Sequence, residues 1–116
     1  MPAERWRASG AGRSSAVGFE RLLWLVANAT DPSAAFESQA RQTLLSLDRT
    51  LREAGSTRAQ LLSVPVFLAS LANKPCFDRV WDAWIGADPQ CWPQRVCLQA
   101  GLANGLMIEI QAVAAR

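Results

Sequence analysis

Between Phe36 and Ala54, apolar side chains return every three or four positions: Phe36, Ala40, Leu44, Leu47, Leu51 and Ala54. Arg41, Asp48, Arg52 and Glu53 fall on the opposite side. This is the period of an α-helix with one buried stripe, and no other feature constrains the fold as much. A stripe that long is stable only against another apolar layer. Segments with the two-residue period of β-strands supply that layer on both sides of it in the chain. "SSAVGF" and "RLLWLVAN" read as two short strands joined tightly at Glu20–Arg21, and "QLLSVPVFLASL" reads as a strand after the helix. Two more close the chain, one in "CWPQRVCLQA" and one in "MIEIQAVAAR".

Punctuation agrees with the periods. "NATDPSAAF" is turn chemistry, with Asp31 or Ser33 as the expected helix N-cap and Pro32 allowed in the first turn. Gly55 is the expected stop. Asn73 is expected to cap a second helix with Pro75 early in it, a buried stripe of Phe77, Val80, Trp81 and Trp84, and Gly86 at its end. "ADPQCWP" is a loop. Pro65 lacks an N–H for a sheet ladder, so it is expected at an edge, a bulge or open solvent. Residues 1–12 have no sustained period and are expected to form an arm or frayed strand. The order predicts an α+β two-layer sandwich, a mixed β-sheet with two helices on one face, in a single domain over 1–116.

Helices on one face need apolar partners. Val96, Leu98 and Ala100, with Ile108, Ile110 and Ala112, are expected to meet them. Arg95, Cys97 and Gln99, with Met107, Glu109, Gln111 and Val113, then point the other way. That second face mixes Met and Val with Arg and Glu, which suggests cover by another subunit with polar residues kept at a cleft. Arg95 and Glu109 can equally form a structural ion pair on neighbouring strands, worth only about 0–1 kcal/mol if exposed. The pattern leaves both readings open.

Composition narrows the chemistry. The chain has no histidine and no tyrosine. Ser-His-Asp and Cys-His catalysis and His-ligated metal sites are therefore excluded. Acid–base work near neutral pH falls to a carboxylate, a lysine, a thiol or bound water. The net charge of +2 comes from scattered arginines with no basic run, which gives nucleic acid no electrostatic claim. "LLWLVA" is too short to span a bilayer. Cys76, Cys91 and Cys97 are an odd number without metal-type spacing, which fits reduced thiols. With no leader at the start, a cytoplasmic protein is expected. No cofactor, metal or membrane partner is expected.

"WPQRVC" followed by "GLMIEIQAVAAR" resembles the endings of the Rid (YjgF-type) imine deaminases. "VPVFLASLANKPCFDRVWDAWI" resembles that family's Val-Phe-Leu strand and aromatic-rich helix, and "QARQTLLSLDRTLREAGS" its first helix. The resemblance runs from about residue 14 to 116. It implies a chorismate-mutase-like subunit, a homotrimer with clefts between subunits, and hydrolysis of 2-imino acids to 2-oxo acids and ammonia. By the same resemblance, Arg95 grips a substrate carboxylate, Glu109 handles the hydrolytic water, Cys97 forms part of the pocket floor, and Asn28 helps line the pocket. The chemistry suits the residues, since a guanidinium fork holds a carboxylate by two hydrogen bonds and an imine carbon is already electrophilic.

The chain also departs from the family. "VAN" (Val26 to Asn28) stands where Ser-Gly-Gln is usual, and "GRSSAV" stands in the region of Gly-Pro-Tyr. Trp92, just before Arg95, is a candidate pocket wall. Cys97 is either a nucleophile or a small buried residue. Two functions compete: an imine deaminase favoured by Arg95 and Glu109, and a protein that binds or converts another carboxylated intermediate in a specialised pathway, favoured by the altered "VAN". A ribonuclease role ranks last.

Overall fold

The structure is a computed structural model, and it describes residues 2–116. Six strands and two helices follow in the order β1 (Glu4–Arg7), β2 (Ser14–Phe19), β3 (Leu22–Asn28), α1 (Phe36–Glu53), β4 (Leu61–Leu68), α2 (Lys74–Ile85), β5 (Gln94–Gln99) and β6 (Ile108–Ala115). The strands form one mixed sheet in the order β1-β2-β3-β6-β4-β5, with β4 and β5 parallel and every other pair antiparallel. Both helices cover one face, so the α+β sandwich read from the sequence is the observed architecture. The molecule is a slab 20 Å through its shortest axis, the depth of two layers. Among the described residues, no helix is long and apolar enough to cross a membrane.

The core lies between the layers. Phe36, Ala40, Leu44, Leu47 and Leu51 of α1 and Phe77, Val80 and Trp81 of α2 are all buried. They meet Leu23, Leu25, Val64, Val66, Ile108, Ile110, Ala112 and Ala114 from the sheet. Truncating a fully buried leucine such as Leu47 to alanine should cost about 2–5 kcal/mol. Gly55 and Gly86 follow the two helices at φ 83° and 85°, the left-handed region where glycine carries no steric penalty.

Four expectations are corrected or narrowed. Asp31 does not cap α1: its carboxylate accepts from the N–H and hydroxyl of Ser33, closing a turn, and the N-cap position is Ala35. Of the edge, bulge or open solvent expected for Pro65, the edge is ruled out, since β4 lies between β5 and β6, and the half-buried residue stands on the open face beside an irregular stretch of the ladder. The β4–β6 pairing skips Val64 and Pro65, and β4 carries a register shift at Leu61/Ser63, so the missing N–H falls where the ladder is already interrupted. Residues 4–7, within the stretch expected to be an arm or a frayed strand, form an edge strand paired to β2. Arg116 ties that strand to the C-terminal end of the chain by pairing with Glu4 at 2.6 Å and donating to the Glu20 carbonyl at 2.9 Å.

The fourth correction concerns β5. Arg95, Cys97 and Gln99 sit opposite the buried Val64, Val66 and Leu68 of β4, so they face the helices. Val96 and Leu98 lie on the open face, 48% and 50% exposed. The alternation is as expected and its sense is reversed. β6 keeps the expected sense, with Ile108, Ile110 and Ala112 buried and Glu109, Gln111 and Val113 on the open face. Met107, one residue before β6, packs against the core instead of sharing the face of Glu109.

Candidate functional site

The residues singled out from the sequence gather in two places, one on each face of the sheet. On the helix side, Arg95 lies under α2. Its Nη2 donates to Asp78 at 2.8 Å, and its guanidinium carbon stands 5.3 Å from the Phe77 ring centroid and 5.4 Å from that of Trp81. Two aromatic faces and a carboxylate thus stand in for the water that a half-buried guanidinium loses. Nη1 is buried with no acceptor, an unmet demand usually worth about 1–3 kcal/mol or more for a charged group. Arg95 also lines a groove of ≈ 700 Å³ walled by Trp81, Trp92 and Pro93. Trp92 is held there by its indole N–H, which donates to the Gly86 carbonyl at 2.9 Å.

Asp78 is the residue sequence reasoning passed over. It bridges Lys74 and Arg95, each at 2.8 Å. Burial pushes its carboxyl upward, but hydrogen bonds from Lys74 and Arg95, with their charges, outweigh this and hold it below its ordinary 3.8. A signal was present in the sequence: Lys74 and Asp78 are four apart on a helix, and Asp78 directly follows Phe77 of the buried stripe. Cys97, two residues beyond Arg95 on the same face, packs against the core. Burial raises its thiol above the ordinary 9.0 despite the nearby Arg95, which keeps it neutral and a poor nucleophile at neutral pH.

On the open face, Glu109 of β6 pairs with Asn28 of β3 on one side and Phe67 of β4 on the other. Leu98 follows beyond Phe67. The rest of that face, from β2 to β5, shows Val17, Phe19, Leu22, Trp24, Val26, Pro65 and Val96. Across β2 to β6 the registers place one charged side chain there, Glu109. A groove of ≈ 240 Å³ runs over this face between Val17, Trp24, Pro65 and Val113. Arg95 and Glu109 therefore lie on opposite faces with β4 between their strands, and no ion pair joins them. One chain cannot bring both to a single ligand. Among the described residues, no three His, Cys, Asp or Glu side chains converge as metal ligands.

A mixed six-stranded sheet backed by two helices in this order defines a class with many solved members. The protein-family model described as Endoribonuclease L-PSP matches residues 26–116. The RutC family protein YoaB of Escherichia coli K12 is 38% identical over 82 residues, covering 70% of this chain and 69% of that protein. A crystal structure from Pseudomonas aeruginosa is 32% identical, with a TM-score of 0.89 over 99% of both chains. A member of the YjgF protein family from Neisseria meningitidis is 28% identical, with a TM-score of 0.91 over 100% of this chain and 96% of its own. The chain belongs to the Rid/YjgF family, the same family that the endoribonuclease L-PSP and RutC names describe.

Proposed function

We propose that the protein hydrolyses small 2-imino acids to 2-oxo acids and ammonia, as a homotrimer whose clefts combine Arg95 of one copy with Glu109 of the next. The observation that carries this reading is the isolation of Glu109: it is the one charged side chain on an open face that carries, besides apolar groups, only uncharged polar ones such as Asn28 and Gln111. Such a face excludes bulk water once covered, and leaves one proton acceptor where a single water can be held. Glu109 takes a proton from that water as its oxygen bonds to the carbon of the protonated imine, giving a tetrahedral carbinolamine. Glu109 returns that proton to nitrogen, then takes the hydroxyl proton as the C–N bond breaks and the C=O bond forms, and ammonia leaves with the 2-oxo acid behind. Arg95 supplies the charge that orients the substrate carboxylate, from the wall of the groove that it lines with Trp81 and Trp92. The two residues occupy opposite faces of one chain, which is why the site needs a second copy.

A second reading has its own support. Asp78 already occupies Nη2 of Arg95, so a ligand meets a guanidinium held on one side rather than a free fork. That arrangement suits a protein that binds another carboxylated metabolite without turning it over. The two are separated by generating 2-iminopropanoate in place with an amino-acid oxidase and following its decay. The deaminase reading requires faster decay with the protein than without it. Oxo-acid binding with no acceleration would leave the binding protein.

A further inference from the structure

The arginines scattered along the sequence are not scattered in space. β1 ends at Arg7, just past a register shift against β2. The chain turns back through Gly12 at φ 77° and re-enters the sheet after Arg13. A Cβ at Gly10 would collide with the Arg13 guanidinium, so this glycine lets the side chain fold onto its own loop. Facing the hairpin, α1 presents Ser46, Arg49, Thr50 and Glu53, which share one side of the helix. Hairpin and helix enclose a pocket of ≈ 520 Å³ lined by Arg7, Arg13, Arg49 and Glu53, with Asn28 at its margin.

Three features mark this pocket as a place for an anion. Among the described residues six arginines form no ion pair, and three of them, Arg7, Arg13 and Arg49, line this one pocket; the others are Arg5, Arg21 and Arg79. Three guanidiniums and one carboxylate leave a local excess of two positive charges (3 − 1). Hydroxyls of Ser14, Ser46 and Thr50 line the same space as further donors. Three like charges around one concavity repel until a counter-ion enters. A dianion balances the excess, and a tetrahedral one offers oxygens in three directions to three forks. A monocarboxylate matches neither the charge nor the number of donors.

We propose that this pocket binds the phosphate group of a small ligand, with Arg7, Arg13 and Arg49 as its charged donors. The remainder of such a ligand extends towards Asn28 and so towards Glu109. Only that last step rests on the deaminase reading; the phosphate site stands without it.

The test is titration calorimetry of the full chain at low ionic strength with inorganic phosphate, glycerol phosphate and propionate. Phosphate should bind with a Kd of about 1 mM or tighter, and propionate about tenfold more weakly. Arg13→Gln and Arg49→Gln should each weaken phosphate about tenfold, the loss of one charge-assisted contact. Arg49→Lys, which keeps charge but not the fork, should fall between Arg49→Gln and wild type. Arg41→Gln, on the same helix but paired with Glu37, should leave binding unchanged. Tighter binding of glycerol phosphate than of phosphate assigns the pocket to a phosphate ester, and equal binding to the free ion; both support it. Absence of phosphate binding at about 10 mM, an Arg41→Gln loss equal to that of Arg49→Gln, or binding of an RNA oligomer without binding of phosphate overturns the proposal. Phosphate binding in a protein that never accelerates imine decay would remove the deaminase reading and leave this pocket standing.

Discussion

Arg95 keeps its charge where little water reaches it because Asp78 and two aromatic faces replace the solvent. The exchange is visible in pH. Asp78 titrates below its ordinary 3.8, so the stability it brings is fully present above that value and is lost as pH falls through the lowered one. Urea midpoints of wild type and Asp78→Asn should therefore differ at pH 7 and converge as the pH falls through the lowered value. A gap that persists in acid would mean that Asp78 acts by packing alone. The functional roles have their own signature. Glu109→Gln should keep affinity for 2-oxobutyrate but lose imine turnover by about two to four orders of magnitude, the usual worth of a positioned base. Arg95→Lys should weaken oxo-acid binding nearly as much as Arg95→Ala, since the ammonium retains the charge without the fork. If Glu109→Gln turns over imine as fast as wild type, Glu109 is not the base. Both residues could be picked out from sequence because a charge interrupted an alternation. The partner of Arg95 could not, since Asp78 is distant in the chain and one of ten acidic residues.

The elements were legible where the two sides of an element differ in polarity. α1 sets Leu44, Leu47 and Leu51 against Arg41, Arg49 and Arg52, and β6 sets Ile108 and Ile110 against Glu109 and Gln111, so each could be oriented from its own residues. β5 could not. Its alternation separates Val96 and Leu98 from Arg95 and Cys97, and the rule that apolar residues turn inward puts the first pair under the helices. That rule fails when both faces of a sheet are apolar, as they are here with Trp24, Val26 and Leu98 on the open side. A second device left little trace in the sequence. Gln39, fully buried on the first turns of α1, donates to the carbonyls of Pro32, Ala34 and Gly105 and accepts from the Met107 N–H at 2.9 Å. It bolts the approach to α1 onto the loop that delivers β6, and so sets where Glu109 begins. An amide among leucines gives no periodic signal; only contacts 66 and 68 residues away reveal its task. Gln39→Leu should cost about 2–4 kcal/mol by stranding buried backbone groups, as read by chemical denaturation. Gln39→Glu, which keeps the shape but loses the amide donor, should also destabilise. A neutral Gln39→Leu would show that water can replace the bolt.

At the scale of the molecule, one face of a thin slab is sealed by helices and the other is not. Phe19, Leu22, Trp24, Val26, Val96 and Leu98 are each between 39% and 50% exposed, and all but the central Glu109 and Asn28 row is apolar or uncharged between β2 and β6. Monomers seldom leave a contiguous apolar surface of this breadth in water, and sheets exposing one invite pairing through it. The proposed homotrimer would cover the face with copies of itself and bring the Arg95 groove of one chain to the rim of the next. Light scattering at micromolar concentration should therefore give about three times the 12.6 kDa chain mass. Trp24→Glu places a charge in the middle of the covered face, opposite Val17 and Val113, and should shift the protein towards monomer. Because each cleft would need two copies, that variant should lose imine turnover even though Trp24 pairs with neither Arg95 nor Glu109. It should keep phosphate binding at Arg13 and Arg49, whose pocket Trp24 does not line. A wild-type chain that stays monomeric at micromolar concentration, or a monomeric Trp24→Glu protein with full turnover, would sink the shared cleft.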